Sequence, residues 1–389
     1  MAGEPNCFGW AAHDANGVLV PFKFTRRPTG PDDVNLRITH CGMCHAELVW
    51  LFNKLGDSKY PMVPGHEVVG VVTEVGSNVT RFKEGDRVGV GTFVYSCREC
   101  EICKDGMQQI CDQKVMTYNA YDRDGLGGLG HMAVKFGKAF GMKVTVMSTS
   151  ESKREEALSV LGADTFVNTS DPAQLESCLA IPENLSMAEA APLLCAGITV
   201  YSPMTRLGMN KAGQTLGVIG LGGLGHMAVK FGKAFGMKVT VMSTSESKRE
   251  EALSVLGADT FVNTSDPAQL EAARNSIHNI MDTVPYEHAL DLYLPLMKPR
   301  GHLVIVGFPH EHKFAPHHLI LGFKSITGSV TGSIAEIQEM LDFCAKKNVT
   351  PMIEMVDIKD CNEALTRMLN KDVRYRFVID IEKTLVNPT

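Results

Sequence analysis

Residues 215–226 read TLGVIGLGGLGH. The apolar run Thr215–Ile219 leads into Gly220-x-Gly222-x-x-Gly225, and a helix-like stretch follows from about Gly223 to Phe235. Glycines at this spacing permit a tight turn, and the helix N-terminus behind the turn can hold a pyrophosphate. Such a motif is weak alone and gains meaning from a strand before it and a helix after it. Working outward, Val239–Met242 reads as the next strand, Ser247–Leu256 as a helix and Leu303–Val306 as a further apolar strand. The alternation predicts an α/β fold with a doubly wound parallel sheet of the Rossmann type. Gly220, Gly222, Gly223, Leu224 and Gly225 are the candidate phosphate-contacting residues.

The end of the second strand selects the dinucleotide. An enzyme using NAD places Asp or Glu about 20 residues after the glycine turn, against the ribose 2′-hydroxyl. Here Ser243, Thr244 and Ser245 stand at the strand end, followed by Lys248 and Arg249. Small hydroxyl residues and nearby cations accept a 2′-phosphate without like-charge repulsion, which predicts NADP(H). The competing reading of Lys248 and Arg249 is a solvated helix face.

The same glycine motif occurs twice. Residues 125–176 repeat residues 220–271 letter for letter. Repeat folds stack several diverged units, so two identical long copies point to a recent duplication or a gene-model artefact. The second copy follows the apolar run 215–219, whereas the first follows the polar, turn-like stretch 119–125. Lacking an incoming strand, the first copy is expected not to bind a cofactor. Its apolar run 144–147 is expected to be an unpaired strand, with poor solubility as the consequence.

The first ~120 residues read mainly as β structure. Val34, Leu36 and Ile38 alternate with polar residues, and 68–72 and 87–90 are short apolar runs. Near the other end, Glu336–Lys346 reads as a helix and Arg376–Ile381 as a strand. The 389 residues suffice for two domains. With 44% hydrophobic and 21% charged residues the composition is that of a globular protein. A net charge of −6 and the lack of a Lys/Arg run exclude nucleic acid and anionic membranes as expected partners. No stretch reaches the ~18 apolar residues of a membrane helix, and Met1–Trp10 does not read as a secretory leader. A cytoplasmic location is expected.

Eleven cysteines in a chain of this length, an odd number, argue against a disulfide framework and for metal ligands or catalytic groups. Cys97-x2-Cys100-x2-Cys103-x7-Cys111 can close a tetrahedral shell around Zn2+, leaving no open position, as in a structural site. An iron–sulfur run of the bacterial type would have three residues, not seven, before its last cysteine and proline, not Asp112, after it. Cys44 and His66 could be two ligands of a catalytic zinc, with Cys195 the third. On residue type alone, His66 is equally a hydrogen-bonded loop histidine, Cys195 a small buried residue, and Glu67 either a supporting carboxylate or a solvated charge.

In this order the motifs resemble the zinc-containing medium-chain dehydrogenases, and most closely the plant cinnamyl alcohol dehydrogenase family. The resemblance rests on CGMCH at 41–45, YPMVPGHEVVG at 60–70, APLLCAGITVYSP at 191–203, GVIGLGGLGH at 217–226 and DVRYRFVID at 372–380. It spans the chain except 126–176. It implies a GroES-like β-rich catalytic domain from 1–198 and 334–389, a Rossmann NADP-binding domain from 199–333, and a homodimer formed through the Rossmann sheets. It implies a catalytic zinc on Cys44, His66 and Cys195, with Glu67 beside them, and a structural zinc on Cys97, Cys100, Cys103 and Cys111. The implied reaction is the reversible NADPH-dependent reduction of small-molecule aldehydes of the cinnamaldehyde type, as in lignin and phenylpropanoid metabolism.

Two departures qualify that expectation. Where the family carries Thr and His as a proton relay, this chain has Ala46 and Val49, which leaves His45 or water to move the proton. A short β segment before Pro182 is expected to be missing, replaced by 126–176. Alternatives are therefore a reductase of another aldehyde, a sugar alcohol or an iminium, or an inactive pseudoenzyme.

Overall fold

The structure is a computed structural model that describes residues 6–26, 28–120, 145–148, 159, 165–168 and 177–386. Two six-stranded sheets dominate it. The first, in spatial order, contains Cys178–Ala180, Arg87–Val90, Val68–Val75, Val34–Met43, Arg376–Asp380 and Ile353–Val356. Its two C-terminal strands close the sheet begun by the N-terminal ones, with Phe377 opposite Met43 and Ile379 opposite Cys41. Valine-rich segments interrupted by glycine suit this sheet, because β-branched side chains fit a pleated surface. Gly70 permits the close approach of neighbouring strands, since a Cβ there would sit 2.4 Å from the Arg37 carbonyl oxygen.

The second sheet is wholly parallel, in the order Thr260–Asn263, Lys238–Ser243, Thr215–Ile219, Asn279–Asp282, His302–Ile305 and Ser325–Gly328. The order reverses direction at Thr215–Ile219, which makes the gap between Ile219 and Asp282 the topological switch point of a doubly wound sheet. Its central strands are buried along almost their whole length, as expected for a parallel sheet covered on both faces. The helix after the glycine turn runs Gly225–Ala234. The segment read as a helix at 247–256 is helical from Glu246 to Val255, tight at Glu246–Lys248 and wide at Glu251–Val255, with Arg249 and Glu250 in helical conformation between them.

One apolar cluster joins the two sheets, running from Val69, Leu179 and Val378 through Leu193, Met204 and Phe231 to Leu216, Val218 and Val239. Polar ties reinforce the joint. The Tyr201 and Ser202 hydroxyls donate to Glu339 and Glu336 at 2.9 Å each, and Arg206 pairs with Glu336 at 2.6 Å. Glu336 also caps its own helix, Ile334–Lys347, by accepting the Ser333 N–H at 2.8 Å while Ser333 accepts the Glu336 N–H. Among the described residues no helix is long and apolar enough to cross a membrane.

The repeated block corrects two expectations. Thr145–Ser148 is paired, in parallel, with Thr165–Asn168. The pairing of Thr145 with Thr165 and Ser148 with Asn168 reproduces the register of Thr240 with Thr260 and Ser243 with Asn263 in the second copy. Among the described residues this pair joins neither large sheet. The β segment before Pro182 is also present, because Cys178–Ala180 pairs antiparallel with Arg87–Val90. The first copy's glycine turn, 125–130, lies outside the described residues.

Both ends of the block anchor to one short stretch. The Thr117 N–H donates to the Thr92 carbonyl at 3.1 Å, Met116 pairs with Phe93, and the Ser177 hydroxyl donates to the Val94 carbonyl at 2.7 Å. Insertions are tolerated where the chain leaves and re-enters a fold at one place. Excising 126–176 is therefore expected to leave a soluble chain with unchanged metal content by elemental analysis; an insoluble or metal-free product would show that the block supports the sheets.

Candidate functional site: two metal centres and a glycine-lined cleft

The short strand Phe93–Tyr95 leads into a cysteine lobe containing the single helical turn Glu101–Lys104. The four sulfur atoms of Cys97, Cys100, Cys103 and Cys111 lie within 4.8 Å of one another. Two thiolates bound tetrahedrally at ~2.3 Å are about 3.8 Å apart. The Cys97 and Cys103 sulfurs are 3.8 Å apart, and those of Cys97 and Cys111 3.5 Å. Backbone N–H groups of Cys100, Cys103 and Gln113 donate to sulfurs at 3.4 Å each, which favours the thiolate form. Burial opposes ionisation of Cys97, yet the Cys100 N–H and its neighbours hold that thiol down at about 7. The donor set fits a closed tetrahedral zinc. The lobe is tied to the joint between the sheets by Arg206, which donates to the Gly106 carbonyl at 2.7 Å.

A second centre forms where the two sheets meet. Cys44 follows the strand Val34–Met43 and precedes the helix His45–Leu51; His66 and Glu67 precede the strand Val68–Val75; Cys195 sits in the wide helical turn Leu193–Gly197. Three segments distant in sequence thus bring the donor atoms of Cys44, His66, Glu67 and Cys195 within 4.8 Å of one another. The two sulfurs are 3.8 Å apart, again the separation of two zinc thiolates. His66 is wholly buried, and its Nε2 has no hydrogen-bond partner. An orphaned buried nitrogen beside two thiols is the mark of a ligand set, because leaving it unsatisfied costs about 1–3 kcal/mol. Cys44 is held well below the usual thiol range, first by its hydrogen bond to Cys195, whose own thiol is raised by the same bond.

Carboxylates and one cation surround this cluster. Glu47 Oε2 accepts the Cys44 N–H at 2.6 Å, and its Oε1 lies 2.7 Å from His66 Nδ1. Burial disfavours the charged imidazole of His66, but Glu47 and Cys44 outweigh it and push the group up. Arg376 donates to Glu67 Oε1, with Glu67 fully buried and the Arg376 side chain only 7% exposed. Burial raises the Glu67 carboxyl to about 7 against the opposing pull of Arg376. Glu67 Oε2 remains without a partner and faces Gly42, where a Cβ would lie 2.0 Å from it. Gly42 is thus required by close packing. Tyr118 covers His66, ring centroids 4.9 Å apart, and accepts the Trp50 indole N–H at 2.8 Å.

The glycine turn shows four separate uses of a missing side chain. Gly220 has φ of +85°, the left-handed region glycine favours. A Cβ on Gly225 would lie 2.2 Å from the Gly220 carbonyl oxygen, so the helix packs against the turn only without one. At Gly222 a Cβ would meet nothing within 4 Å, which leaves the backbone open to a ligand. Gly223 gives passage to Arg376, whose Cδ lies 2.9 Å from where its Cβ would be. Arg376 therefore runs from the glycine turn to Glu67 beside the cysteine–histidine cluster. At the strand end, Ser243 accepts the Ser245 N–H at 3.2 Å, and Thr244 and Ser245 are exposed. Lys248 pairs with Glu251 at 3.3 Å, while Arg249 is held by Glu246 and lies over the Phe261 ring.

A profile of the alcohol dehydrogenase GroES-like domain matches residues 30–145, and one described as zinc-binding dehydrogenase matches 128–181 and 223–346. The second match touches both copies of the repeated block. A putative cinnamyl alcohol dehydrogenase 4 from Oryza sativa subsp. japonica is 50% identical over 98% of this chain and 98% of its own length. The chain belongs to the zinc-containing cinnamyl alcohol dehydrogenase family. Among solved members of that family, the cinnamyl alcohol dehydrogenase SbCAD4 from Sorghum bicolor superposes with a TM-score of 0.83 at 43% identity, covering 98% of this chain and 99% of that one. The Helicobacter pylori enzyme, solved with NADP(H), gives 0.77 at 29% identity over 99% of this chain and 100% of that one.

Within this family member the sequence missed Glu47, Tyr118 and Arg376. Glu47 carried a signal: a carboxylate three residues after the residue that opens a helix has capping-box spacing. Arg376 carried none, because only the return of the C-terminal strand to Val34–Met43 brings it to Glu67. Replacing Arg376 by Met leaves a buried carboxylate without its cation, a change that costs about 3–5 kcal/mol in comparable pairs. Urea unfolding of R376M is expected to show a loss of that order; a loss below ~1 kcal/mol would mean the pair does not hold the centre.

Proposed function

We propose that the chain is an NADPH-dependent zinc alcohol dehydrogenase acting reversibly on cinnamaldehyde-type aldehydes of phenylpropanoid metabolism. The convergence of Cys44, His66 and Cys195, with an orphaned His66 Nε2 and the Tyr118 ring packed on that imidazole, carries this reading. In it, Cys44, His66 and Cys195 hold a catalytic zinc, Glu67 stands beside them, and Cys97, Cys100, Cys103 and Cys111 hold a structural one. Bound zinc supplies a Lewis acid for the carbonyl oxygen, and NADPH supplies the hydride.

The chain's own residues perform the rest. Glu47 orients His66, and Arg376 balances the negative charge gathered by Glu67 and the thiolates. Trp50, Tyr118 and Met116 belong to an apolar cluster whose Tyr118 edge reaches His66, a wall suited to a planar aryl group. Gly220, Gly222, Gly223, Leu224 and Gly225 receive the pyrophosphate. Ser243, Thr244, Ser245 and Lys248 receive the 2′-phosphate, Lys248 by exchanging its partner Glu251. His45, half-buried and adjacent to Cys44, moves the proton that Ala46 and Val49 cannot. The catalytic unit is formed by 1–198 and 334–389 and the cofactor unit by 199–333. Exposed Ile320, Leu321, Phe323 and Val330 flank the edge strand Ser325–Gly328, which supports a homodimer built by pairing those edges.

The test is NADPH oxidation with cinnamaldehyde, read beside zinc content. The expectation is two zinc ions per chain, preference for NADPH over NADH, and loss of turnover together with one zinc in Cys195→Ala. His45→Ala is expected to lower kcat by about 10²-fold or more, the usual scale of acid–base help. Full metal and nucleotide binding without turnover on any aldehyde would instead identify a pseudoenzyme.

A further inference from the structure

Beyond the two cysteine centres, a third group of ligand-type side chains converges among the described residues: Asp282, His288 and His312. Asp282 ends the strand Asn279–Asp282 at the switch point, and the two histidines come from the loops after that strand and after His302–Ile305. His288 Nε2 lies 3.1 Å and His312 Nε2 3.6 Å from the same oxygen, Asp282 Oδ2. The Asp282 side chain is fully buried, and those of His288 and His312 are 16% and 10% exposed. Beyond these mutual contacts none of the three atoms has a hydrogen-bond partner.

The other nitrogen of each ring fixes its tautomer. His288 Nδ1 is 2.8 Å from the Tyr286 carbonyl oxygen, and His312 Nδ1 is 3.3 Å from the His288 carbonyl oxygen. A carbonyl only accepts, so both Nδ1 atoms carry hydrogen, and in the neutral rings both Nε2 atoms present lone pairs. Asp282 Oδ1 is occupied by the Val284 N–H at 3.1 Å, which leaves Oδ2 as the free acceptor. Two imidazole nitrogens and a carboxylate oxygen thus face one another in a buried spot, an arrangement satisfied by a bound cation or by a proton on His288, where burial opposes the charge but Asp282 pushes the imidazole up. Ligands bound tetrahedrally at ~2.0–2.1 Å are about 3.3 Å apart, and the observed 3.1 and 3.6 Å bracket that value. Backbone carbonyls on the distal ring nitrogens are also the usual support of metal-bound histidine.

We propose that Asp282, His288 and His312 form a third divalent-metal site, for an ion of the borderline class that takes imidazole and carboxylate ligands, Zn2+ foremost. The ion braces the two loops at the carboxyl end of the parallel sheet and has no part in the reaction at Cys44, His66 and Cys195.

The full-length holoenzyme, dialysed against micromolar Zn2+, tests this by elemental analysis. One zinc per chain beyond the cysteine-held ions is expected, lost in both His288→Gln and His312→Gln while aldehyde reduction persists. Should either variant fold poorly, the wild type decides: Co2+ added to enzyme that holds only its cysteine-bound zinc, before any dialysis against Zn2+, should show X-ray absorption from nitrogen and oxygen neighbours without sulfur. No additional equivalent in the wild type, or an additional equivalent retained by both folded variants, overturns the site and leaves an Asp282–His288 ion pair. Failure of the cysteine centres registers separately, as zinc missing before dialysis.

Discussion

The buried pairing of Arg376 with Glu67 is the contact on which the rest of the centre depends. Three thiol or carboxyl groups and a histidine are crowded into a largely buried spot, where uncompensated negative charge is expensive. The guanidinium lies in that spot because the C-terminal strand returns to pair with Val34–Met43, and because Gly223 leaves room for its stem. One side chain therefore couples the closing of the first sheet, the shape of the glycine turn and the electrostatics of the ligand cluster. Glu47 does the same on a smaller scale, since one carboxylate both caps the helix after Cys44 and meets His66.

Much of this architecture was legible in the sequence, and the reasons differ from place to place. The glycine turn was readable because each of its constraints is local: a positive φ at Gly220 and a close approach at Gly225 depend on neighbours a few residues away. The cysteine lobe was readable for the same reason. The cluster of Cys44, His66 and Cys195 was legible only through resemblance, because its members meet through the packing of two sheets and an irregular helical turn. Arg376, Tyr118 and the histidines at 288 and 312 were not legible at all. Nothing in their local pattern distinguishes them from surface residues, and only tertiary contacts give them partners.

The helix boundaries show the same division. Gly225–Ala234 forms where its apolar periodicity and glycine turn predict it, and the helix read at Ser247–Leu256 is present from Glu246 to Val255 but irregular, tight at its start and wide at its end. Glu246 and Gln269 both bind Arg249 and Asn263, which ties the start of this helix to the strand Thr260–Asn263 and the helix Pro267–Ala272.

The matching register in the two copies of the repeated block sets up a competition within the chain. Thr145–Ser148 and Lys238–Ser243 present the same four residues, yet only one can lie beside Thr215–Ile219. The chain thus contains two rivals for one berth. The later copy reaches it through a connection several times shorter, an advantage of about 1 kcal/mol in closure entropy. Proximity along the polypeptide, not any difference within the repeated residues, tilts the competition toward the later copy, by about fivefold.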